Sequence, residues 1–260
     1  MFQIMGILNV TPDSFSDGGL YIDKKRAINH AVKLALDGAD IIDIGGESTR
    51  PGAEPVSISQ ELDRVIPIIE KLKTMLPIRI SVDTRKPEVA KQAILSGASL
   101  INDVSAELFE VCAQCNAGWI AMHKKGEPKT MQLDPQYESV TEEVFSYLSH
   151  KAQEGLKAGV KEVYVDPGIG FGKTVKHNLE LLAGINKLKE LGLNVVVGTS
   201  RKSFLGVVGK IKDEPLSVQN RLAPTLATVA WLARAGVNMV RVHDVKETAQ
   251  LRKLLELCQR

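Results

Sequence analysis

Cysteine is scarce in this chain of 260 residues, and the three present are an odd number. A disulfide framework is therefore excluded as what holds the molecule together. Cys112 and Cys115 form one C-x-x-C with no second pair to complete a zinc site. Ala113-Gln114 between them reads as helix, so the two are expected to be ordinary packing residues. An excess of charge of one sign is also missing, because 33 basic residues against 31 acidic ones leave only +2. Nucleic-acid binding gains no support from that balance, and any bound anion has to be met by a few placed cations rather than by the overall field. No apolar run approaches the roughly 20 residues needed to cross a membrane. The start, Met1-Phe2-Gln3-Ile4-Met5-Gly6, lacks the basic segment of a secretory signal, so a cytoplasmic location is expected. The histidines show no paired helical spacing, which argues against a catalytic zinc.

What the chain does have is a 44% apolar fraction with 25% charged residues, enough for a sizeable core in a soluble protein. Short apolar runs recur along it and read as strands: Ile4–Asn9, Ile41–Gly45, Ile78–Asp83, Ser99–Val104, Trp119–His123, Val163–Asp166, Asn194–Thr199 and Met239–His243. Several are apolar on both faces, as in a parallel sheet covered on both sides. Helical stripes lie between them: Ile28/Ala31/Val32/Ala35, Leu62/Val65/Ile66/Ile69, Leu226/Val229/Ala230/Ala233 and Leu251/Leu254/Leu255/Cys258. All four are expected to face the core. Glycines at 38, 97, 118, 159, 192 and 236 mark helix exits. Eight β-then-α units predict an α/β fold, a single closed (β/α)8 TIM barrel over residues 1–260 with no break for a second domain. Val10–Ile22 and Gly46–Ile58 are too long and too rich in glycine and proline to be simple connections, and as loops after strands 1 and 2 they are expected to be mobile lids.

Polar residues end most of the runs, and in such folds they gather at the catalytic end. Arg241 and His243 are two apart on one strand and so share a face. A guanidinium fork beside an imidazole suits phosphate oxygens. Asp83, Asn102 and Asp166 close three other strands. A carboxylate in a covered site needs donors, and a 2-amino-4-oxo heterocycle offers an adjacent N–H and NH2. Asn102, which both gives and accepts, suits the remaining ring nitrogens. Lys202, in Ser200-Arg201-Lys202-Ser203, is within reach of a carbonyl oxygen or a phosphate, while Arg201 reads equally well as a solvated cation. Pro167-Gly168-Ile169-Gly170-Phe171-Gly172-Lys173-Thr174 has the look of a phosphate loop, but proline stands where that loop needs glycine and removes an N–H. Its glycines are expected instead to let the backbone and Phe171 approach a flat ligand. A magnesium held mainly by diphosphate and water needs one or two protein oxygens, and Asn9 can supply one.

The stretches Met5–Gly19 and Gly45–Gly52 resemble the two signature segments of the dihydropteroate synthase family. Ser81-Val82-Asp83-Thr84, Ile101-Asn102-Asp103-Val104, Met122-His123, Asp166-Pro167-Gly168, Ser200–Ser203 and Arg241–Val245 continue the likeness in order. The resemblance implies condensation of 6-hydroxymethyl-7,8-dihydropterin diphosphate with 4-aminobenzoate, giving 7,8-dihydropteroate and diphosphate. It implies pterin contacts from Asp83, Asn102, Met122, Asp166, Gly198 and Lys202, and diphosphate contacts from Asn9, Thr49, Arg241 and His243. Magnesium would sit at Asn9. Phe15, Asp17, Thr49, Arg50, Pro51, Phe171, Lys202 and Ser203 would form the aminobenzoate site. Asp83, Lys202, Arg241 and His243 are the expected catalytic residues. The partners implied are these small molecules and a second copy of the chain, a homodimer through the last helices, with no nucleic acid and no membrane. Two departures are visible: Ala106 stands where glycine often follows Asn-Asp-Val-Ser, and Pro224 lies in a helical stretch. A pterin-binding methyltransferase barrel would keep the aspartates and asparagine but has no use for the Arg241/His243 clamp or the Thr49-Arg50-Pro51 loop. A non-catalytic paralogue would have lost such residues.

Overall fold

Eight short parallel strands close on themselves in sequence order: β1 (Gln3–Asn9), β2 (Ile41–Gly45), β3 (Arg79–Asp83), β4 (Leu100–Asp103), β5 (Gly118–Met122), β6 (Val163–Asp166), β7 (Asn194–Val197) and β8 (Met239–Val242), the last pairing back to β1. This computed structural model describes residues 1–11, 20–47, 55–127 and 130–258, with the side chains of 20–23 outside the description. The helices are α1 (Leu20–Leu36), α2 (Ile58–Met75), α3 (Pro87–Ser96), α4 (Phe109–Gln114), α5 (Val140–Ala158), α6 (Val175–Ala183), α7 (Asn186–Lys189), α8 (Ser203–Val208), α9 (Leu222–Arg234) and α10 (Val245–Cys258). The fold is thus the (β/α)8 barrel predicted, with two helices rather than one before β7 and before β8.

Alternation along each strand sorts the residues into two cores. Ile4, Leu8, Ile42, Ile44, Val82, Ile101, Ala121, Val165, Val197 and Val240 face the helices. Met5, Ile41, Leu100, Ile120, Tyr164, Val196 and Met239 fill the barrel itself, and the next residues upward on the same faces are Ile7, Asp43, Asn102, Met122, Asp166, Gly198 and Arg241. The lower end is closed by Arg79, whose Nη1 donates to Glu162 Oε1 at 2.7 Å, while Tyr164 Oη donates to the same oxygen at 2.7 Å. Gly118 starts β5 there because a Cβ would come within 2.8 Å of both Glu162 and Leu100. It is therefore not the helix exit the sequence suggested; Asn116, at φ 52°, makes that turn.

The helices begin where capping chemistry says they should. Ser57 caps α2 in a reciprocal box with Gln60, and Thr174 caps α6 with His177. Two expected stripes shift. In α1 the fully buried line is Ala27, Ala31 and Leu34. In α10 the stripe faces the core only in part: Leu251 and Leu255 pack against it half-buried, Leu254 and Cys258 are exposed, and the buried residues of the helix are Val245 and Thr248. Pro224 is the third residue of α9, within the first turn where no N–H has an intrahelical acceptor, so it removes no bond. Ala106 takes φ 56° and is fully buried, a left-handed turn that glycine would make without strain. Cys112 is a buried thiol, pushed up to about 12 by loss of solvation, and Cys115 is half-buried.

Candidate active site

The upper ends of β3 to β8 and the loops that follow them, with Ile7 of β1, border one open-mouthed cavity, lined by Ile7, Asp83, Asn102, Val104, Met122, Asp166, Phe171, Gly198, Ser200, Lys202, Arg241 and His243. The sequence-predicted residues Asp83, Asn102, Met122, Asp166, Phe171, Gly198, Lys202, Arg241 and His243 are thereby brought together. Asn9 ends β1 opposite Gly45, outside that lining but on the same rim. Ser203 opens α8 and is exposed. Phe15, Asp17, Thr49, Arg50 and Pro51 lie outside the described residues.

Arg241 organises one side of the cavity. Its Nε donates to Asp43 Oδ2 at 2.6 Å and its Nη2 to Asp83 Oδ2 at 2.8 Å. Asp43 Oδ2 also accepts Asn102 Nδ2 at 3.0 Å. Burial works against the guanidinium charge, Asp43 and Asp83 outweigh it, and Arg241 stays above its ordinary value. Burial lifts Asp83 to about 7; Arg241 pulls the other way, while Asp43 adds to the rise. His243 is held by Ser200, whose Oγ lies 3.0 Å from His243 Nδ1 and accepts the His243 backbone N–H at 3.1 Å.

The opposite side carries Asp166 and Lys202. Asp166 Oδ1 accepts the Gly168 N–H at 2.7 Å; burial raises this carboxyl, against Gly168, Lys202 and Arg241. Lys202 Nζ donates to Ile169 O and sits 4.1 Å over the Phe171 ring. Burial lowers its ammonium to about 8.

The glycines between 168 and 172 answer to protein contacts more than to a ligand. A Cβ on Gly168 would lie 1.8 Å from His123 O, and one on Gly172 would lie 2.0 Å from Lys125 O. Both have positive φ. The loop therefore lies flush on the segment after β5. His123 does not reach the cavity; its Nδ1 is 2.9 Å from Lys173 Nζ, and both side chains are buried. Glu47 is engaged too, with Arg85 at 3.0 Å and with Lys86, which also holds the fully buried Glu61. Arg201 is not a free cation: it forks onto Asp244 through Nε and Nη2. Asp103 points outward and collects the N–H groups of Ser105, Glu107 and Leu108 and the Trp119 indole.

Sequence reasoning missed Ile7, Val104, Ser200 and above all Asp43. Alternation would have found the first two, two residues from Asn9 and Asn102. Asp43 shows only as a lone carboxylate inside an apolar run, two residues before Gly45. No group of three or more His, Cys, Asp or Glu side chains suited to a metal occurs among the described residues.

A closed barrel whose mouth pairs an acceptor-rich floor with a cationic rim defines a class of enzyme that grips a flat, donor-edged ring bearing an anionic group. Residues 5–243 match the family described as pterin binding enzyme. A dihydropteroate synthase of Synechocystis sp. is 45% identical over 260 aligned positions, covering 97% of this chain and 89% of the relative. A Xanthomonas albilineans dihydropteroate synthase solved with 4-aminobenzoic acid superposes with a TM-score of 0.91 at 39% identity, covering 99% of this chain and 93% of the other. The same organism's dihydropteroate synthase in complex with 7,8-dihydropteroate gives 0.88 at 37%, covering 99% and 94%. The chain belongs to the dihydropteroate synthase family of pterin binding enzymes.

Proposed function

We propose that this chain joins 6-hydroxymethyl-7,8-dihydropterin diphosphate to 4-aminobenzoate, releasing diphosphate. The observation that carries the reading is the convergence of Asp83, Asn102, Asp166 and Lys202 with Arg241 and His243 on one cavity. Asp166 and Asn102 are the groups to read the donor edge and ring nitrogens of the pterin, with Lys202 on an acceptor of the ring. Met122 and Gly198 flank that ring; a Cβ at Gly198 would sit 3.7 Å from the Arg241 Cβ, so glycine keeps the wall thin.

The chemistry follows from charge. The bond from the exocyclic methylene to the diphosphate oxygen breaks with its electron pair going to diphosphate, whose charge Arg241 and His243 meet. The methylene is left cationic and conjugated with the ring, and ionised Asp83 stabilises it. The arylamine nitrogen then forms the new C–N bond, and the arylammonium so formed is acidic enough to give its proton to the departing diphosphate or to water, so no strong general base is needed. Phe171, Lys202 and Ser203 are the described residues assigned to the aminobenzoate, with Phe15, Asp17, Thr49, Arg50 and Pro51 supplied by the first two loops, Thr49 also serving the diphosphate.

Magnesium is part of the proposal. Asn9 Oδ1 lies about the Gly45 rim, 3.7 Å from where a Gly45 Cβ would stand, and a single neutral oxygen fits an ion held mostly by diphosphate and water. Such an ion would neutralise leaving-group charge. We further propose one domain over residues 1–260 acting as a cytoplasmic homodimer. Support comes from the outer faces of α9 and α10, where Trp231, Leu254 and Leu257 are exposed, and from the fact that no described helix is long and apolar enough to cross a membrane. Sedimentation at micromolar concentration reads the dimer directly. The test of function is to mix purified protein, magnesium and both substrates and assay dihydropteroate and diphosphate. Production of both is expected; binding of the pterin with neither product would favour a non-catalytic paralogue.

A further inference from the structure

Lys173 is the most buried cation in the described chain at 2% exposure, and nothing in the mechanism above uses it. A buried amine persists only where its N–H groups find acceptors. Its Nζ lies 2.9 Å from His123 Nδ1 and donates to Phe171 O at 3.0 Å. His123 is itself 5% exposed and set edge-on to the Tyr147 ring at 5.0 Å between centroids. Burial and the neighbouring lysine hold the imidazole down to about 3, so it is neutral. With Nδ1 accepting from Lys173, its proton is on Nε2. The lysine is lowered by burial to about 7. Two acceptors meet both N–H groups of a neutral amine and two of the three of an ammonium, so both contacts are made in either charge state.

What the contact fixes is the loop that carries Phe171. That loop already lies flush on the segment after β5 through Gly168 and Gly172, and Tyr137 Oη donates to Gly172 O at 2.8 Å. Lys173 adds a tie from β5's end to the carbonyl of Phe171 itself. The ring of Phe171 in turn supports Lys202 Nζ at 4.1 Å. Arg241 and His243 take no part in this chain of contacts.

We propose that Lys173, seated on His123, is a positioning residue that sets Phe171 and through it Lys202 against the aminobenzoate end of the cavity, independently of the diphosphate end. The proposal rests on the functional reading above. It differs from a plain stability role in acting at the Phe171–Lys202 end of the cavity and not at the diphosphate end.

The experiment compares wild type, Lys173→Met, His123→Leu and His123→Asn, the last keeping an acceptor oxygen where Nδ1 stands. Wild-type product formation is measured first, and its absence would sink the functional reading rather than the tether. The KM for 4-aminobenzoate is then expected to rise about tenfold or more in Lys173→Met and His123→Leu, since ångström-scale misplacement has effects of that order. The Kd for inorganic diphosphate with magnesium, read by calorimetry, should stay within about threefold of wild type, and His123→Asn should recover most of the aminobenzoate KM. Equal losses at both ends, an unchanged aminobenzoate KM, or a His123→Asn as impaired as His123→Leu would each overturn the proposal. Should Lys173→Met fail to fold, the two His123 variants give the same reading between themselves.

Discussion

Asp43 Oδ2 lies 2.6 Å from Arg241 Nε and 3.0 Å from Asn102 Nδ2, so one buried oxygen ties the cationic rim to the ring-reading floor. Removing it leaves a buried guanidinium with Asp83 alone and an amide N–H without that acceptor. Asp43→Leu is expected to lower unfolding free energy by about 3 kcal/mol and to raise the KM for the pterin diphosphate. Denaturant titration and steady-state kinetics check both, and a variant with wild-type values in each would show that Asp43 orders nothing.

Arg241 and Asp83 touch each other at 2.8 Å yet are assigned different steps. Arg241→Ala should weaken the diphosphate substrate, seen as a KM raised by more than about tenfold. Asp83→Asn should instead lower kcat by about 100-fold, the scale of one lost charge at a developing cation, with a smaller change in KM. Wild-type turnover by either variant contradicts these roles.

Gly168 and Gly172 combine positive φ with backbone oxygens 1.8 Å and 2.0 Å from a would-be Cβ. A methyl group there has no flexible neighbour to displace. Gly168→Ala and Gly172→Ala are each expected to cost more than about 2 kcal/mol, measured as a fall in Tm, whereas Gly192→Ala, with nothing within 4 Å but the same positive φ, should cost about 1 kcal/mol.

His123 gives the stability a definite pH signature. Its imidazole titrates near 6.5 in the unfolded chain and is lowered to about 3 in the fold, so between those values the unfolded chain binds the extra proton. Stability from this group is full above pH 6.5 and falls as pH drops toward 3, by up to about 1.4 kcal/mol per unit. Denaturation midpoints of His123→Asn should therefore decline less steeply than wild type across that window. Parallel declines would mean that His123 is protonated in the native state.

The barrel was legible because its strands are apolar on both faces and end in polar residues, a pattern that only a covered parallel sheet explains. The cavity residues at strand ends were legible for the same reason. Asp43 was not, because it sits mid-run where the pattern says core, and the cost of burying it is met by Arg241 from a strand 198 residues away. The 168–172 glycines were assigned to a ligand because sequence shows that a backbone must come close to something without showing what. The α10 stripe held only in part for a third reason: helical periodicity reports that a face is apolar but not how much of it is covered, and Leu251 and Leu255 pack on the core while Leu254 is exposed.

The closed lower end has a consequence for traffic. With Met5, Ile41, Leu100, Ile120, Tyr164, Val196 and Met239 filling the barrel and Arg79 bridging to Glu162 beneath, nothing can pass along the barrel axis from below, so traffic to and from the cavity floor belongs to the upper side, where the strand ends carry the polar residues.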